Sequence, residues 1–426
     1  MSFELPPKSF ARRRQTEIFL GNIRGRKRHI PVSFEKLKEK ARRVMTKEAF
    51  SYVAGSAGME STKESNRIGF NQWKIIPRML RDVSSCDTSI HLFGKDFPAP
   101  FLLAPIGVLE MVHEKADLAV ARAASSENIP FIFSNQASFS MERCSSVMGR
   151  SPRWFQLYWS TNNDLVKSFV ARAEKCGCDA IVLTLDTTRL GWRPRDLDMD
   201  YLPFLRGKGI AQYTSDPVFN HMMESLPAGN RDARGVTLNS LKVLFQMSKN
   251  YPGSFWKNLF SDKPRKAVKT FIETYSRPSL TWKDLSFLRS LTDLPIILKG
   301  ILDKHDAQKA IQTNMDGIIV SNHGGRQVDG CISSIEALPG ITEAVQGRIP
   351  ILLDSGIRGG SDMFKALALG ADAVLIGRPY VYALALAGEA GVREIIQNLR
   401  ADFELTMGLS GLKSVKDIHN NCLVHS

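Results

Sequence analysis

Eight short apolar runs recur along the chain, and they constrain its fold more than any other feature. They are FLLAP from residue 101, IPFIFS from 129, WFQLYW from 154, AIVLTLD from 180, IILKG from 296, GIIVSNH from 317, PILLDSG from 350 and AVLIGR from 373. Hydrophobicity within each run is continuous rather than alternating, which is typical of strands that are buried on both faces of a parallel sheet.

Helical patterns lie between these runs. NDLVKSFVARAEKCG and SDMFKALALGA place apolar residues three and four positions apart and end near a glycine. Consecutive runs begin 21 to 33 residues apart, except for one gap of 116 residues. One strand and one helix fill the usual spacing, so the sequence predicts an α/β fold of the TIM (β/α)8 barrel type.

The remaining segments define the predicted domain organisation. Residues 1–43 form a basic N-terminal arm, 44–95 form helices and a hairpin packed on the barrel, and 96–426 form the barrel itself. Within the barrel, residues 190–280 are predicted to be an insertion after strand 4 that covers the barrel mouth as a lid. The alternative is an inert surface insertion, which the position at a carboxyl strand end disfavours.

The net charge of +14 first suggests a nucleic-acid or membrane partner, but its distribution argues against nucleic acid. Residues 1–43 contain 13 Lys or Arg against four Glu, so the arm holds most of the excess charge. The body of the protein is therefore not a basic nucleic-acid surface. For the arm we favour a solvated leader or a subunit-contact segment over a nucleic-acid or membrane tail.

Cysteine usage and hydropathy limit the environment of the protein. The six cysteines are scattered, and the one close pair, Cys176-x-Cys178, is too tight for the usual zinc or redox spacing. We therefore predict reduced thiols, a cytoplasmic location and no metal site. No stretch approaches twenty uninterrupted apolar residues, so no membrane span is predicted.

Polar or glycine residues follow nearly every predicted strand, where barrel enzymes carry their active sites. In strand order, the residues at these strand ends are Pro105, Ile106 and Gly107; Ser134; Gln156 and Tyr158; Thr184 and Asp186, followed by Arg193; Lys299; Ser321, His323 and Arg326; Asp354, Gly356 and Arg358; and Gly377 and Arg378. A lone histidine or lysine at a strand end is more often structural than catalytic. Their occurrence together at one rim points to a site.

The last two strand ends indicate a phosphorylated ligand. DSGIRGGSD and GRP each open a helix, and they supply glycine-exposed backbone N–H groups together with Arg358 and Arg378. A Rossmann site is disfavoured because these glycines fall in the last quarter of the chain. Lys299, in the otherwise apolar run IILKG, is placed to stabilise negative charge on a cofactor or substrate.

The segment SNHGGRQVDG adds acid–base chemistry to the phosphate site. His323 can act as a general base, and a carboxylate such as Asp186 would orient its imidazole. Arg193 and Arg326 offer planar sets of donors suited to a small carboxylate. These residues suggest removal of a proton or hydride from the carbon next to a carboxylate, with a phosphate-bearing electron acceptor beneath it.

These motifs closely resemble the FMN-dependent L-2-hydroxy acid oxidising family, which includes glycolate oxidases, lactate oxidases and lactate 2-monooxygenases. SNHGGRQVDG is the most specific, and FQLYW, LTLDTTRLGWR, LKG and LDSGIRGGSDMFKALALGADAVLIGRP support it. The likeness runs from about Tyr52 to about residue 415. It implies bound FMN, a small 2-hydroxy acid substrate, dioxygen as acceptor, and a homo-tetramer or homo-octamer.

The resemblance also implies individual roles. His323 would be the base with Asp186 behind it, Arg193 and Arg326 would hold the substrate carboxylate, and Tyr52 and Tyr158 would contact its carboxylate and hydroxyl. Lys299 would lie beside the flavin N1 and C2 carbonyl. The isoalloxazine would be lined by Pro105, Ile106, Gly107, Ser134, Gln156 and Thr184, with Ser321 nearby, and the ribityl phosphate would be held by Asp354, Gly356, Arg358, Gly377 and Arg378.

Two departures refine the comparison. Gln136 stands where glycolate oxidases carry a substrate-side tryptophan, and Gly107 stands where many oxidases have alanine. Together with GWRPRDL, PFLRG and DPVF in the insertion, these residues make the chain most similar to the lactate 2-monooxygenase branch. The alternatives are a dehydrogenase that passes electrons to a quinone or another carrier, a noncatalytic flavin-binding barrel, and a phosphosugar-binding barrel without flavin.

Overall fold

The computed structural model describes residues 9–23, 25, 27–225 and 237–426. Before the barrel, this part of the chain forms helices and short strands: α1 (Phe10–Ile23), α2 (Phe34–Val44), α3 (Lys47–Ala54), α4 (Ser61–Gln72), β1 (Trp73–Ile75), β2 (Ile90–Leu92) and β3 (Lys95–Phe97). Strands β2 and β3 pair as an antiparallel hairpin, with Ile90 opposite Phe97.

Eight parallel strands then close into a barrel, which confirms the predicted fold. They are β4 (Phe101–Leu103), β5 (Phe131–Phe133), β6 (Arg153–Leu157), β7 (Ile181–Thr184), β8 (Ile296–Ile301), β9 (Gly317–Val320), β10 (Ile351–Leu353) and β11 (Ala373–Ile376). Neighbours follow chain order, and β11 pairs with β4 to complete the ring. Every strand lies within one of the eight apolar runs, except that β6 begins one residue before its run and β8 ends one residue after its run.

Helices connect and surround these strands. They are α5 (Ala116–Ser126), α6 (Met141–Met148) and α7 (Asn163–Lys175); α8 (Pro194–Leu197), α9 (Ala211–Thr214), α10 (Pro217–Glu224), α11 (Leu238–Asn250), α12 (Phe255–Leu259), α13 (Lys263–Thr274) and α14 (Leu285–Arg289); and α15 (Lys304–Gln312), α16 (Ser334–Val345), α17 (Gly360–Ala368) and α18 (Arg378–Leu409). The second group lies between β7 and β8, so the insertion is largely helical. A final strand, β12 (Leu423–His425), pairs with β1.

Local sequence explains where these helices begin. Asn162 caps α7, because its side-chain oxygen accepts hydrogen bonds from the backbone N–H groups of Asp164 and Leu165 at 2.8 and 3.2 Å. Ser333 and Glu336 form a reciprocal capping box at the start of α16. These caps fix the helices that follow the strands, and thereby the carboxyl ends of the strands that carry the site.

Alternate residues along the strands fill the barrel interior. This inner cluster contains Leu102, Ile132, Trp154, Val182, Ile297, Ile319, Leu352 and Leu375. The hairpin adds Leu92 and Phe97 to it, and the Phe93 ring lies 5.5 Å from that of Trp154. Because strand side chains alternate with a period of two, the next inward positions on β6, β8 and the turn after β10 are Gln156, Lys299 and Asp354. The apolar interior therefore ends in a polar layer.

Part of the basic N-terminal segment is ordered against the C-terminal helix. Arg14 of α1 forms an ion pair of 3.1 Å with Glu394 of α18 and donates to Asn398 Oδ1 at 2.9 Å. Ser9 Oγ donates to Glu404 Oε1 at 2.6 Å. Within the described residues, none of the helices has the length and apolar character needed to cross a bilayer.

Candidate active site

A hydrogen-bonded polar layer forms the floor of the site. Ser134 Oγ donates to Gln156 Oε1 at 3.1 Å, and Gln156 Nε2 donates to Thr184 Oγ1 at 3.0 Å. All three side chains are buried. Buried polar groups need such partners, because an unpaired amide or hydroxyl loses its hydrogen bonds to water without compensation. The carboxamide of Gln156 is thus held in one orientation at the ends of β5, β6 and β7.

Lys299 supplies a buried cation on the other side of the layer. Its Nζ lies 2.9 Å from Asp354 Oδ2 and donates to Ser321 Oγ at 2.7 Å. Burial alone would lower the pKa of this lysine, but the nearby carboxylates of Asp354 and Asp186 outweigh burial and raise the pKa above its ordinary value. Lys299 is therefore a fixed positive charge at the top of β8.

His323 lies just beyond β9 in a left-handed backbone conformation, with φ of 58°. Its N–H donates to Ser321 Oγ at 3.1 Å, and Gly324 and Gly325 that follow are also left-handed, with φ of 67° and 77°. At Gly325 a Cβ atom would come within 2.7 Å of the backbone nitrogen of Lys63, so glycine is required there. The tight turn directs the imidazole into the mouth of the barrel.

The imidazole is paired with a buried carboxylate. His323 Nδ1 lies 2.9 Å from Asp186 Oδ1, and the second oxygen, Asp186 Oδ2, is buried and has no hydrogen-bond partner among the residues that the structure describes. Burial lowers the pKa of His323 below its ordinary value, and Lys299 and Arg193 add to that effect against the opposing charge of Asp186. The pKa of Asp186 is lowered, because His323 and Lys299 outweigh its burial. At neutral pH this arrangement holds a neutral imidazole beside an ionised carboxylate, which suits a general base.

Two arginines and two tyrosines face the histidine. Arg326 donates to the backbone oxygens of Tyr52 and Gly55, and its guanidinium carbon lies 4.7 Å from the centre of the Tyr52 ring. Arg193 is buried, and burial together with Arg326 lowers its pKa to about 10. Burial also raises the pKa of Tyr158, which therefore keeps its phenolic proton at neutral pH. Charged and neutral donors thus converge on one region of the site.

A second pair of arginines lies at the ends of the last two barrel strands. Arg378 donates to the backbone oxygens of Val53, Gly55 and Gly324. Burial lowers the pKa of Arg378 to about 10, and burial together with Arg378 lowers that of Arg358 to about 9. Among the described residues, the ion pairs include neither of these guanidinium groups. Two partly buried cations that form no ion pair with a carboxylate in the described part of the chain are suited to a phosphate.

One continuous cavity connects these groups. The cavity opens at the barrel mouth, and the space between its lining atoms is about 1450 Å³ when that open mouth is counted. Fifteen predicted residues line it: Tyr52, Pro105, Ile106, Gly107, Gln156, Tyr158, Arg193, Lys299, His323, Arg326, Asp354, Gly356, Arg358, Gly377 and Arg378. Ser134, Thr184, Asp186 and Ser321 lie behind it and bond to lining residues.

Several residues that line the cavity were not predicted from the sequence. Gln327 accepts from Arg193 Nη2 at 3.0 Å and donates to the backbone oxygens of Asp186 and Arg189 at 2.6 and 2.8 Å. It stands inside the motif SNHGGRQVDG, so the motif itself was a signal. The insertion contributes an apolar wall of Leu202, Phe204, Phe271, Ile272 and Tyr275. Of these, Phe271 on α13 and Tyr275 directly after that helix carry a sequence signal, because they are two aromatic residues four positions apart.

Comparison with known proteins shows what this chain is similar to. The family model described as FMN-dependent dehydrogenase matches residues 41–425. An L-lactate oxidase of Lysinibacillus sphaericus is 41% identical over 394 residues, covering 92% of this chain and 93% of the relative. An FMN-dependent alpha-hydroxy acid dehydrogenase of Penicillium citrinum is 38% identical over 387 residues, covering 91% and 89%. The crystal structure of mandelate oxidase with (S)-4-hydroxymandelic acid superposes with a TM-score of 0.76 and 35% identity, covering 92% of this chain and 98% of that one.

Proposed function

The chain belongs to the FMN-dependent dehydrogenase family of alpha-hydroxy acid oxidising enzymes, and we propose that it oxidises a small L-2-hydroxy acid, most specifically L-lactate, with dioxygen as the acceptor. The observation that carries this proposal is the contact of 2.9 Å between His323 Nδ1 and Asp186 Oδ1, in a cavity that is also lined by Arg193, Arg326, Arg358 and Arg378. A base and a carboxylate-binding group in one cavity are what oxidation next to a carboxylate requires.

The donors of the cavity fit FMN. Arg358 and Arg378 provide partly buried cations for a doubly charged phosphate, and Lys299 provides a fixed cation for the flavin ring. At Gly107 a Cβ atom would lie 3.1 Å from both Cβ and the backbone oxygen of Gln136, so the close approach of these two segments favours glycine. Bound FMN supplies a two-electron acceptor that can pass its electrons to dioxygen.

His323 is proposed to remove a proton from the substrate through its second ring nitrogen, since Nδ1 is engaged by Asp186. The proton is either that of the hydroxyl group or that of the α-carbon. Both routes need the neutral imidazole that the buried environment maintains. Asp186 would stabilise the imidazolium that forms once the proton has been taken, as a carboxylate does behind other catalytic histidines.

Arg326 and Arg193 are proposed to bind the substrate carboxylate, with Tyr52 and Tyr158 completing the site. Arg326 already makes hydrogen bonds to the backbone oxygens of Tyr52 and Gly55, which fix its guanidinium at the rim. The phenol of Tyr158 keeps its proton at neutral pH and can donate to the substrate hydroxyl. These contacts would orient the acid with its reacting carbon next to His323.

Within the family, the lactate 2-monooxygenase type is the branch that we favour. In that reaction lactate and dioxygen give acetate, carbon dioxide and water, which requires that pyruvate and peroxide stay together after oxidation. The insertion supports retention, because Phe204, Phe271 and Tyr275 form an apolar wall over the cavity. The alternative to a monooxygenase is a dehydrogenase that passes electrons to another acceptor. The name of the relative from Penicillium citrinum, an alpha-hydroxy acid dehydrogenase, supports this alternative.

Product analysis tests the proposal. The purified protein is given L-lactate under air, and oxygen uptake, acetate, pyruvate and hydrogen peroxide are measured. We expect oxygen uptake with acetate and carbon dioxide as the main products. Pyruvate with peroxide would instead assign a simple oxidase, and rapid reduction of an added quinone with little oxygen uptake would assign a dehydrogenase. Absence of lactate-dependent reduction of the flavin would refute the substrate and favour a noncatalytic flavin-binding barrel.

Two further parts of the proposal concern the assembly and the location of the protein. The proposal of a homo-tetramer or homo-octamer is based on the family resemblance alone, and analytical ultracentrifugation tests it. A cytoplasmic location is supported by the six cysteines, which are all free thiols. Fractionation of the source cells tests this location.

A further inference from the structure

The insertion carries an exposed apolar surface on the side away from the barrel. Its residues are Leu238, Leu241 and Phe245 of α11, Trp256 of α12, and Phe260 just after it, which we call the α11–α12 patch. Their exposed fractions are 87%, 49%, 53%, 65% and 85%. Single exposed apolar residues are ordinary on protein surfaces, but a contiguous group that includes two exposed aromatic residues on adjoining turns marks an interaction site.

The patch is contiguous rather than scattered. At 100° per residue, Leu238, Leu241 and Phe245 fall within one narrow sector of α11. The Phe245 ring lies 4.7 Å from that of Phe255, which in turn lies 5.2 Å from that of Trp256. The aromatic contacts therefore join the exposed sector of α11 to the exposed side of α12.

The sequence segment that carries the patch is basic, although Glu48 of α3 lies near Lys242. Residues 237–270 contain seven Lys or Arg against a single acidic residue, Asp262. Lys242 and Lys249 share the exposed sector of α11 with the apolar residues, and Lys257 follows Trp256. The long aliphatic part of a lysine can lie along an apolar surface while its ammonium group reaches a polar layer.

We propose that the α11–α12 patch docks the protein on an anionic lipid bilayer. Exposed Trp, Phe and Leu beside lysines are the composition of surfaces that lie in the membrane interface. The alternative occupant is a second copy of this chain, but protein interfaces are depleted in lysine and enriched in arginine, whereas five of the seven basic residues flanking this surface, at 242, 249, 257, 263 and 269, are exposed lysines. The charge therefore favours lipid over protein.

The docking surface is connected to the wall of the cavity. Gln246 of α11 accepts from Arg206 Nη1 at 2.8 Å, and Asn250 Nδ2 donates to the backbone oxygen of Arg206 at 2.8 Å. Arg206 ends the 3-10 turn Pro203–Arg206, whose Phe204 lines the cavity. Only one layer of structure thus separates the proposed membrane contact from the site. The docking proposal does not depend on the substrate, because lipid binding is measured without turnover.

Vesicle flotation with the full-length, FMN-containing protein tests the proposal. We expect binding to vesicles that contain phosphatidylglycerol, little binding to pure phosphatidylcholine vesicles, and a loss of binding as salt is raised. Each lysine near an anionic surface contributes roughly a fivefold factor, so the double variant Lys242→Gln/Lys249→Gln should weaken binding roughly 20- to 30-fold. Trp256→Ser/Phe260→Ser should weaken it by roughly tenfold or more.

A matched control separates docking from general surface effects. Leu409 is an exposed apolar residue outside the patch, at 73%, and Leu409→Ser should bind vesicles as the unchanged protein does. All variants should retain the flavin absorbance and the turnover with lactate in solution. Equal binding to neutral and anionic vesicles, or no binding to either, would overturn the proposal. So would a smaller assembly of Trp256→Ser/Phe260→Ser in analytical ultracentrifugation, which would assign the patch to contacts between copies of the chain.

Discussion

Replacing Gln327 with methionine tests how the site holds Arg193, which we propose binds the substrate carboxylate. The Gln327 side chain joins two segments of the rim, since it accepts from Arg193 Nη2 at 3.0 Å and from the N–H of Gly191 at 3.4 Å. It also donates to the backbone oxygens of Asp186 and Arg189. Methionine preserves the length of the side chain and removes all of these hydrogen bonds. Gln327 is thus a positioning residue for the segment between Asp186 and Arg193.

The magnitude follows from the bonds that are lost. A neutral hydrogen bond contributes about 0.5–1.5 kcal/mol and one to a charged group about 1.5–3 kcal/mol, and water at the partly open rim recovers part of that loss. In the Gln327→Met variant, substrate binding must therefore supply a free energy of about 2 kcal/mol to order Arg193. This cost corresponds to a rise in KM of roughly thirtyfold, because every 1.4 kcal/mol changes an affinity tenfold.

Steady-state kinetics with lactate provide the assay, together with flavin content and thermal unfolding. We expect the rise in KM to exceed the fall in kcat, and the acid limb of the pH profile to stay in place, because the carboxylate of Asp186 still faces His323. Gln312→Met, at an exposed glutamine on α15, is the control and should behave as the unchanged protein. A lower melting temperature with an unchanged KM would refute the positioning role and leave Gln327 as a purely structural residue.

Other predictions concern proton transfer and buried carboxylates. His323→Gln should retain bound flavin and lose its anaerobic reduction by lactate, so rapid bleaching would refute the base assignment. Asp186→Asn should lower kcat and shift the acid limb of the kcat/KM profile to lower pH. The reason is that Asp186 raises the pKa of His323, whereas burial lowers it. A shift of the acid limb to higher pH would contradict this role of Asp186. Burial raises the pKa of Glu110 to about 7 although its Oε1 accepts from the Gly209 N–H at 2.7 Å. The contribution of Glu110 to stability is therefore lost as pH rises through about 7. In thermal unfolding, Glu110→Gln should stabilise the fold by about 2–3 kcal/mol at about pH 8.5 but not at about pH 4.5. Equal shifts of the melting temperature at both pH values would contradict this prediction.

The barrel and most of the cavity could be predicted because both follow from short-range pattern. Continuous apolar runs mark the doubly buried strands, and the alternation of side chains places Gln156 and Lys299 above the apolar interior. The carboxyl ends of the strands in a parallel barrel lie at one rim, independent of the conformation of the loops. Residues far apart in the sequence, such as Asp186 and His323, are therefore brought together by topology alone.

Features that depend on long-range packing could not be predicted in the same way. The insertion has no repeat to fix its path, so sequence does not reveal that Phe204 and Phe271 pack at 5.1 Å and close over the cavity. From the sequence, the basic segment is interpreted as a run of solvated charge, whereas in the structure Arg14 and Ala11 of α1 contact Glu394 and Glu404 of α18. Charge composition identifies neither partner, because the acidic residues lie some 380 to 395 positions away in the chain.

The distribution of charge in the cavity indicates what its ligands must bring. Asp354 neutralises Lys299 and Asp186 is committed to His323, so both carboxylates of the floor already have partners. The described ion pairs leave Arg358 and Arg378 at one end without a carboxylate, and Arg193 and Arg326 likewise at the other. Burial and mutual repulsion lower the pKa of three of these four arginines, so the site stores an electrostatic cost that anions relieve. A phosphate at one end and a substrate carboxylate at the other would each remove part of that cost. Binding of FMN should therefore raise the melting temperature, and a carboxylate inhibitor should raise it further.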